Sequence, residues 1–304
     1  MNGKKIKACL ICNPLAGKAK KNADIIDGAI SYLIQEGFEI KKMLTDGPLT
    51  AMHIARDAAK SGFDYIIATG GDGTINEVAN GLYNSESILM ILPMGTANLF
   101  AHHIGLPIKI SKALKSYKDS KVIKINLGKA NDRYFLLMAG IGFDSNVISK
   151  IKPSAKLKYG KLAFVYHSIK ESFLYDYPLF RIKIKDRQID SSFAVISLSK
   201  EYAGLFTLTP GADISKRTFQ ICAFHKRGAL NYWKYFIFAL MRKHHILSDV
   251  TLTYADNIEV SPIADKKVLV QLDGELYCNL PIQIMIAPQQ INILVPQQRI
   301  RKKI

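Results

Sequence analysis

Gly70-Gly71-Asp72-Gly73-Thr74-Ile75-Asn76-Glu77-Val78-Ala79-Asn80-Gly81-Leu82 follows the apolar run Tyr65-Ile66-Ile67-Ala68-Thr69. The apolar run reads as a buried strand bounded by turn signals. Three glycines around one acid then make a turn too tight for ordinary side chains. Thr74 with Glu77 three residues later has capping-box spacing and predicts a helix start at that point. A strand, a glycine turn and a helix N-terminus in succession present backbone N–H groups to an anion, most often a phosphate. The run lacks both the G-x-G-x-x-G spacing and the Gly-Lys-Ser/Thr ending of a P-loop. By itself it is also compatible with an ordinary strand-to-helix turn.

Outward from this stretch, the first 125 residues alternate between strand and helix patterns. An apolar run from Ile6 to Cys12 leads into Asn13-Pro14, and Ile25, Ile26, Ala29, Ile30, Leu33 and Ile34 then recur at helical spacing up to Gly37. Residues 38–44 read as a second strand and 51–60 as a second helix. Residues 88–92 form a fourth strand, followed by a short helix ending at Gly105. Repeated β-α units predict a parallel sheet with helices on both faces, with ligands bound beyond the carboxyl ends of its strands.

After about residue 124 strand patterns dominate, at 134–139, 180–185, 193–198, 218–224, 250–254, 267–272, 282–286 and 291–295. Successive strands without intervening helices predict an antiparallel sandwich or barrel. Two helical stretches interrupt them, at 158–172 and 230–242. In the second, Leu230, Trp233, Phe236, Ile237, Leu240 and Met241 share a face, which reads as core packing in preference to lipid contact. The boundaries read from this pattern are an α/β domain over 1–125 and a β-rich sandwich domain over 126–304, leaving open a return of the last residues to the first domain.

Length and composition agree with a two-domain globular protein: 304 residues, 48% hydrophobic and 22% charged. The N-terminus runs straight into a strand without a signal-peptide core, and no segment reaches the length of a membrane span, which together predict a cytoplasmic protein. Cys9 and Cys12 have C-x-x-C spacing but alternate faces of a strand, so free buried thiols are expected along with Cys222 and Cys278. The pairs His102-His103 and His244-His245 diverge on predicted helices, and neither reads as a metal site. Lys and Arg number 42 against 25 acids, for a net charge of +17, which favours a polyanionic partner. The excess is dense over 150–187, where Tyr and Phe are interleaved with the lysines. That pattern suits a peripheral contact with an anionic membrane at its inner face; without a recognisable nucleic-acid motif, no nucleic acid is expected. The sequence leaves the oligomeric state open, a homodimer included.

Six motifs in order resemble those of the diacylglycerol kinase catalytic-domain family, which includes bacterial lipid kinases and sphingosine kinases and is distantly related to the NAD kinases. Asn13-Pro14-Leu15-Ala16-Gly17-Lys18 resembles the family's first nucleotide loop, Thr45 stands where the family has a threonine near the nucleotide, and Gly70, Gly71, Asp72, Gly73, Thr74 and Asn76 form the central motif. Gly95, Thr96 and Asn98 correspond to the third nucleotide loop. Gly140-Ile141-Gly142-Phe143-Asp144 resembles the element opening the second domain, and Asp273-Gly274-Glu275 the late Asp-Gly-Glu. The resemblance implies an NAD kinase/diacylglycerol kinase-like fold and a lipid kinase using ATP and Mg²⁺. Asp273 is then the general base, supported by Glu275 on the same face of an extended segment, with Asp72 as the rival. In isolation, Asp273-Gly274 reads as a hairpin turn.

Three positions depart from the bacterial diacylglycerol kinase pattern. Leu99, Asn126 and Lys216 (in Lys216-Arg217, where the family has Asp-Gly) stand where acids surround a structural Mg²⁺ in that family. A lysine there repels the ion, so the structural metal is expected to be absent, with Lys216 in its place. The third loop, Gly-Thr-Ala-Asn-Leu-Phe-Ala, also resembles sphingosine and ceramide kinases. The alternatives that remain are a sphingoid-base or ceramide kinase, an NAD kinase-like enzyme and a non-catalytic nucleotide- or lipid-binding regulator.

Overall fold

The computed structural model describes residues 5–14, 19–151, 161–202 and 206–297, with the side chains of 19–22 and 161–163 left aside. The chain divides into two compact units, one running to Ile125 and resuming at Gln289, the other spanning Asn126–Pro288.

The first unit is built on a six-stranded sheet. Strands β1 (Ile6–Cys12), β2 (Phe38–Leu44), β3 (Tyr65–Gly70) and β4 (Ile88–Pro93) lie in the order β2-β1-β3-β4, followed by Ile291–Pro296 and then Ser120–Ile125 at the edge. The four early strands pair in parallel. Ile291–Pro296 runs parallel to β4 and antiparallel to Ser120–Ile125. The strand read at 291–295 thus belongs to the first unit. Its apolar alternation fits either sheet, and only the pairing partners decide between them. The central strands are near-continuous apolar runs because helices cover both faces. On one side, Ile26, Ala29 and Leu33 of helix α1 (Ala19–Gln35) pack with Ile110 and Leu114 over Ala8, Leu10 and Cys12. Helices α2 (Thr50–Lys60) and α3 (Asp72–Gly81) lie together, joined through Gly81, where an added Cβ would lie 2.3 Å from the Met52 carbonyl and 2.8 Å from the Ala55 Cβ. All four cysteines are free, and burial pushes the Cys9 thiol up to about 11.

The helix after the glycine turn does not start at Thr74. It begins at Asp72 with Gly71 as its N-cap, and no side chain caps it. Glu77 reaches instead to α2, whose N-cap Leu49 has no acceptor of its own. Its two carboxylate oxygens take the amides of Leu49 at 3.0 Å and Ala51 at 3.2 Å. The capping box read from the spacing does not form, because the Glu77 carboxylate is taken by the start of a helix on another segment.

The second unit holds two six-stranded sheets whose strands pair antiparallel. One has the order Arg187–Ser191, Phe180–Ile184, Asn257–Pro262, Ile282–Ile286, Gly128–Ala130, Arg133–Phe135. The other has the order Val250–Ala255, Phe219–Phe224, Phe193–Ser197, Met138–Gly142, Leu269–Leu272, Glu275–Asn279. Their inner faces share one core that includes Phe135, Ile141, Ile182, Ile196, Phe219 and Ile284. The single strand expected at 134–139 is two strands in different sheets, Arg133–Phe135 and Met138–Gly142, with the crossing at Leu136 and Leu137. Continuous hydrophobicity hid the crossing because both sides of it are buried. The helix Ala229–Leu240 also departs from expectation: Leu230, Ile237, Leu240 and Met241 are exposed, and its buried residues are Tyr235 and Ala239. Among the described residues, no helix is long and apolar enough to cross a membrane.

The Gly81 contact gives a stability test. Alanine is the better helix former by about 1 kcal/mol, yet overpacking against backbone costs ~1–3 kcal/mol. Gly81→Ala is expected to lower the thermal midpoint in a melting experiment; a rise would show that α2 and α3 separate freely.

Candidate functional site

Register brings the loops of the first unit to one edge. Cys12 pairs with both Leu44 and Thr69, and Thr69 with Leu92, so β1 to β4 end at the same level. The amide of Asn13 donates to Thr69 O at 3.2 Å, that of Thr45 to Cys12 O at 3.0 Å, and that of Met94 to Gly70 O at 2.8 Å. Asn13, Thr45, the turn from Gly70 to Thr74 and the loop from Gly95 to Asn98 therefore emerge side by side. Pro14 follows Asn13 at the exposed surface, while Ala16, Gly17 and Lys18 lie outside the described residues.

Two glycine backbones touch at this edge. A Cβ on Gly95 would lie 2.5 Å from the Gly71 Cα, although Gly71 itself is extended (φ −89°). The need for glycine here is close approach, not an unusual backbone angle. Gly73 and Thr74 follow in the first turn of α3, where amide groups lack acceptors within the helix and the macrodipole is positive. Asp72 stands at the same helix start, and its Oδ1 accepts the Phe100 amide at 3.1 Å, tying the two loops together. Asn98 is buried and engaged at both ends of its amide: Oδ1 accepts from Gly95 N at 2.8 Å and Nδ2 donates to Gly95 O at 2.7 Å. It shapes the third loop from inside, while Thr96 is exposed. Asn76, also buried, accepts from Asn80 on the next helical turn.

In the second unit, Asp273 and Gly274 form the two-residue turn between Leu269–Leu272 and Glu275–Asn279, with φ of 50° and 86°. Two positive angles in succession are those of a type I′ hairpin turn. This corrects the extended geometry expected for Asp273 and Glu275, because a turn directs the two side chains differently. The Asp273 carboxylate accepts three backbone amides: Leu136 at 2.7 Å on Oδ2, and Leu137 at 2.8 Å and Met138 at 3.0 Å on Oδ1. Those amides belong to the chain where it crosses between the two sheets. Glu275 faces Arg133 instead, at 2.9 Å.

Behind the turn lies a network that motif reading did not single out. The Gly274 amide donates to Gln271 Oε1 at 2.7 Å, and Gln271 Nε2 donates to Asp144 Oδ2 at 3.1 Å. Tyr202 donates its hydroxyl to the same oxygen at 3.0 Å, and the Ser145 amide reaches Oδ1 at 2.7 Å. Burial raises the Asp144 carboxyl above its usual range, opposed by hydrogen bonds from Gln271, Tyr202 and Ser145. Gly140 makes this possible, since a Cβ there would lie 2.0 Å from Asp144 Oδ2. The Gly-Ile-Gly-Phe-Asp motif signalled Asp144, but Tyr202 and Gln271 are 58 and 127 positions away.

The residues standing for metal-binding acids are placed differently from one another. Asn126 is fully buried and ties Ile214 O through its amide at 2.9 Å and its side chain at 3.0 Å. Leu99 is half-buried. Lys216 is exposed, and its amide donates to Asp213 O at 2.9 Å. Among the described residues, no group of three or more His, Cys, Asp or Glu is arranged to hold a metal ion.

Comparison with known families agrees with this architecture. The family described as the diacylglycerol kinase catalytic domain matches residues 7–130, and the YegS C-terminal NAD kinase beta sandwich-like domain matches 138–295. The chain belongs to the diacylglycerol kinase family and is, by that membership, a lipid kinase. It is 27% identical to a diacylglycerol kinase of Bacillus subtilis, covering 96% of this chain and 97% of that protein. A diacylglycerol kinase of Staphylococcus epidermidis is 28% identical, covering 96% and 92%. The crystal structure of a diacylglycerol kinase of Bacillus anthracis, at 24% identity, superposes with a TM-score of 0.76 over 97% of this chain and 98% of that one, a likeness of fold.

The three amides on Asp273 define a test. In Asp273→Asn an NH₂ group replaces one acceptor oxygen and faces an N–H donor, at a cost of about 1–3 kcal/mol. The variant is expected to melt below the wild type by differential scanning fluorimetry; an unchanged midpoint would show that the turn does not depend on the carboxylate.

Proposed function

We propose that the protein transfers the terminal phosphoryl group of ATP to a hydroxyl of diacylglycerol or a related membrane lipid. The observation that carries this reading is the carboxyl edge of the first sheet, where Gly71 and Gly95 approach closely beside the start of α3. A cradle that a Cβ would fill suits a phosphate chain held by backbone amides. Thr45 and Asn13 flank it. Mg²⁺, arriving with the nucleotide, supplies neutralisation of phosphate charge, and Asp72 is the carboxylate nearest the glycine turn in sequence. Phosphoryl transfer needs mainly positioning and electrostatic stabilisation, which fixed loops provide.

The acceptor hydroxyl needs a group to take its proton. We assign that role to Asp273, whose orientation is fixed by the amides of Leu136, Leu137 and Met138. Glu275, paired with Arg133, helps hold the hairpin strand. The protein acts at the cytoplasmic face of the membrane as a peripheral enzyme, consistent with its net charge of +17 and a membrane-resident substrate.

Labelled ATP offered with diacylglycerol, a sphingoid base, ceramide and NAD in parallel tests the assignment. Label is expected in diacylglycerol or a related lipid and to be missing from NAD. Gly71→Val, whose side chain meets the Gly95 backbone, is expected to abolish both nucleotide binding and transfer while remaining folded. Transfer to NAD alone, or unchanged nucleotide affinity in that variant, would overturn the reading.

Asp273 and Asp72 are separated by comparing Asp273→Asn and Asp72→Asn at a temperature well below both melting midpoints. Loss of a general base costs ~10²–10⁴-fold in rate. Asp273→Asn is expected to lose turnover on that scale with nucleotide affinity retained. Near-normal turnover in this variant would transfer the role to Asp72.

A further inference from the structure

Two helices of the second unit turn apolar side chains toward solvent. On Lys161–Leu174, Phe173 is 70% exposed, Leu174 67% and Tyr166 62%, with Val165 and Ile169 completing the same side. On Ala229–Leu240, Leu230 is 88% exposed, and Ile237 and Leu240 lie on the same side, with Met241 just beyond. The helices are joined where Trp233 Nε1 donates to Ser172 Oγ at 3.2 Å. A helix on an aqueous surface ordinarily points charges outward. Here the arrangement is reversed: the polar residues Ser168, Glu171 and Ser172 are buried, with Glu171 accepting from Asn146 Nδ2 at 2.9 Å.

The unpaired charges beside this surface are basic; the exposed carboxylate at its edge, Asp176, is held by Arg227 and Lys266. Ala229–Leu240 contains no acid, and the single acid of Lys161–Leu174 is the buried Glu171. Lys170, Arg242 and Lys243 are exposed at its margins. Lys234 is already engaged with Asp249. By contrast, Arg181 and Lys183 on the neighbouring strand pair with Asp190 at 2.7 Å and Glu259 at 3.4 Å, so part of the basic excess is neutralised elsewhere.

We infer that the exposed sides of Lys161–Leu174 and Ala229–Leu240 form one surface that inserts shallowly into an anionic lipid bilayer, with Lys170, Arg242 and Lys243 meeting the headgroups. Large exposed apolar side chains flanked by Lys170, Arg242 and Lys243, with the neighbouring Asp176 already neutralised by Arg227 and Lys266, match a bilayer interface. A second copy of this chain is a poor occupant, because it would bring the same cations face to face. The inference deepens the membrane contact proposed above by naming its surface and by making apolar insertion, not charge alone, the source of retention.

The test uses the full chain and vesicles of phosphatidylglycerol and phosphatidylcholine, with binding read by co-sedimentation and no turnover required. Leu230→Ser, Ile237→Ser and Phe173→Ser are prepared singly and together. In high salt, where headgroup attraction is screened, the wild type is expected to stay bound. Each substitution is expected to weaken binding by about tenfold, the scale of removing one large apolar side chain from a buried position. Melting midpoints are expected to stay at or above the wild-type value, since no core contact is lost. Unchanged vesicle affinity in the triple variant would overturn the inference. So would a wild-type dimer that the triple variant converts to monomer with vesicle binding intact. A chain that binds vesicles through this face yet phosphorylates no lipid would refute the kinase proposal and leave this one standing.

Discussion

Three backbone amides converge on the carboxylate of Asp273, and the second unit depends on that convergence. The chain leaves one sheet at Phe135 and joins the other at Met138, so the residues between belong to neither ladder. Backbone donors in such a crossing need acceptors from elsewhere, because a buried unpaired N–H costs about as much as a lost hydrogen bond. Asp273 supplies them from the tip of a hairpin more than a hundred residues later. Its own amide donates back to Met138 O at 2.9 Å, so the crossing and the turn define each other. The positive φ of Asp273 follows from the same requirement, since a two-residue turn brings the carboxylate to the crossing without lengthening the hairpin.

This arrangement changes what an Asp-Gly-Glu motif signifies. The acid proposed to receive a proton is also a structural acceptor, and the two roles share one orientation. A buried second carboxylate, Asp144, lies behind it through Gln271. Because Asp144 accepts from Gln271 Nε2, the opposite end of that amide faces the Gly274 N–H. The turn is thus held from both sides by groups whose donor and acceptor character leaves one arrangement.

The first unit follows a different principle. Its candidate site consists of backbone brought close by absent side chains, with Gly71 and Gly95 in contact and Asn98 bonded inward to Gly95. Asp72 and Glu77 each take amides from a neighbouring segment, so the acids of the central motif also join adjacent loops and helices. Loops tied to one another by backbone contacts and short hydrogen bonds suit chemistry that relies on positioning.

The β-α alternation, the glycine turn and the family were legible from residue order alone, because parallel strands, tight turns and amphipathic helices have local signatures. The strand-rich second half was legible in kind for the same reason. Partners were not. Whether Ile291–Pro296 belonged to the first or second unit, which helix Glu77 caps and where residues 134–139 cross between sheets all depend on segments far apart in sequence. The apolar stripe on Ala229–Leu240 shows the limit most plainly. Periodicity establishes that Leu230, Ile237 and Leu240 share a face, but burial depends on what packs against that face. The fold turned Tyr235 and Ala239 inward and left the stripe in solvent. Residue order determined most of the elements and the glycine turn after β3; tertiary pairing decided which acids hold the backbone and which apolar surface remains exposed, because hydrogen bonding and burial are relations between distant residues.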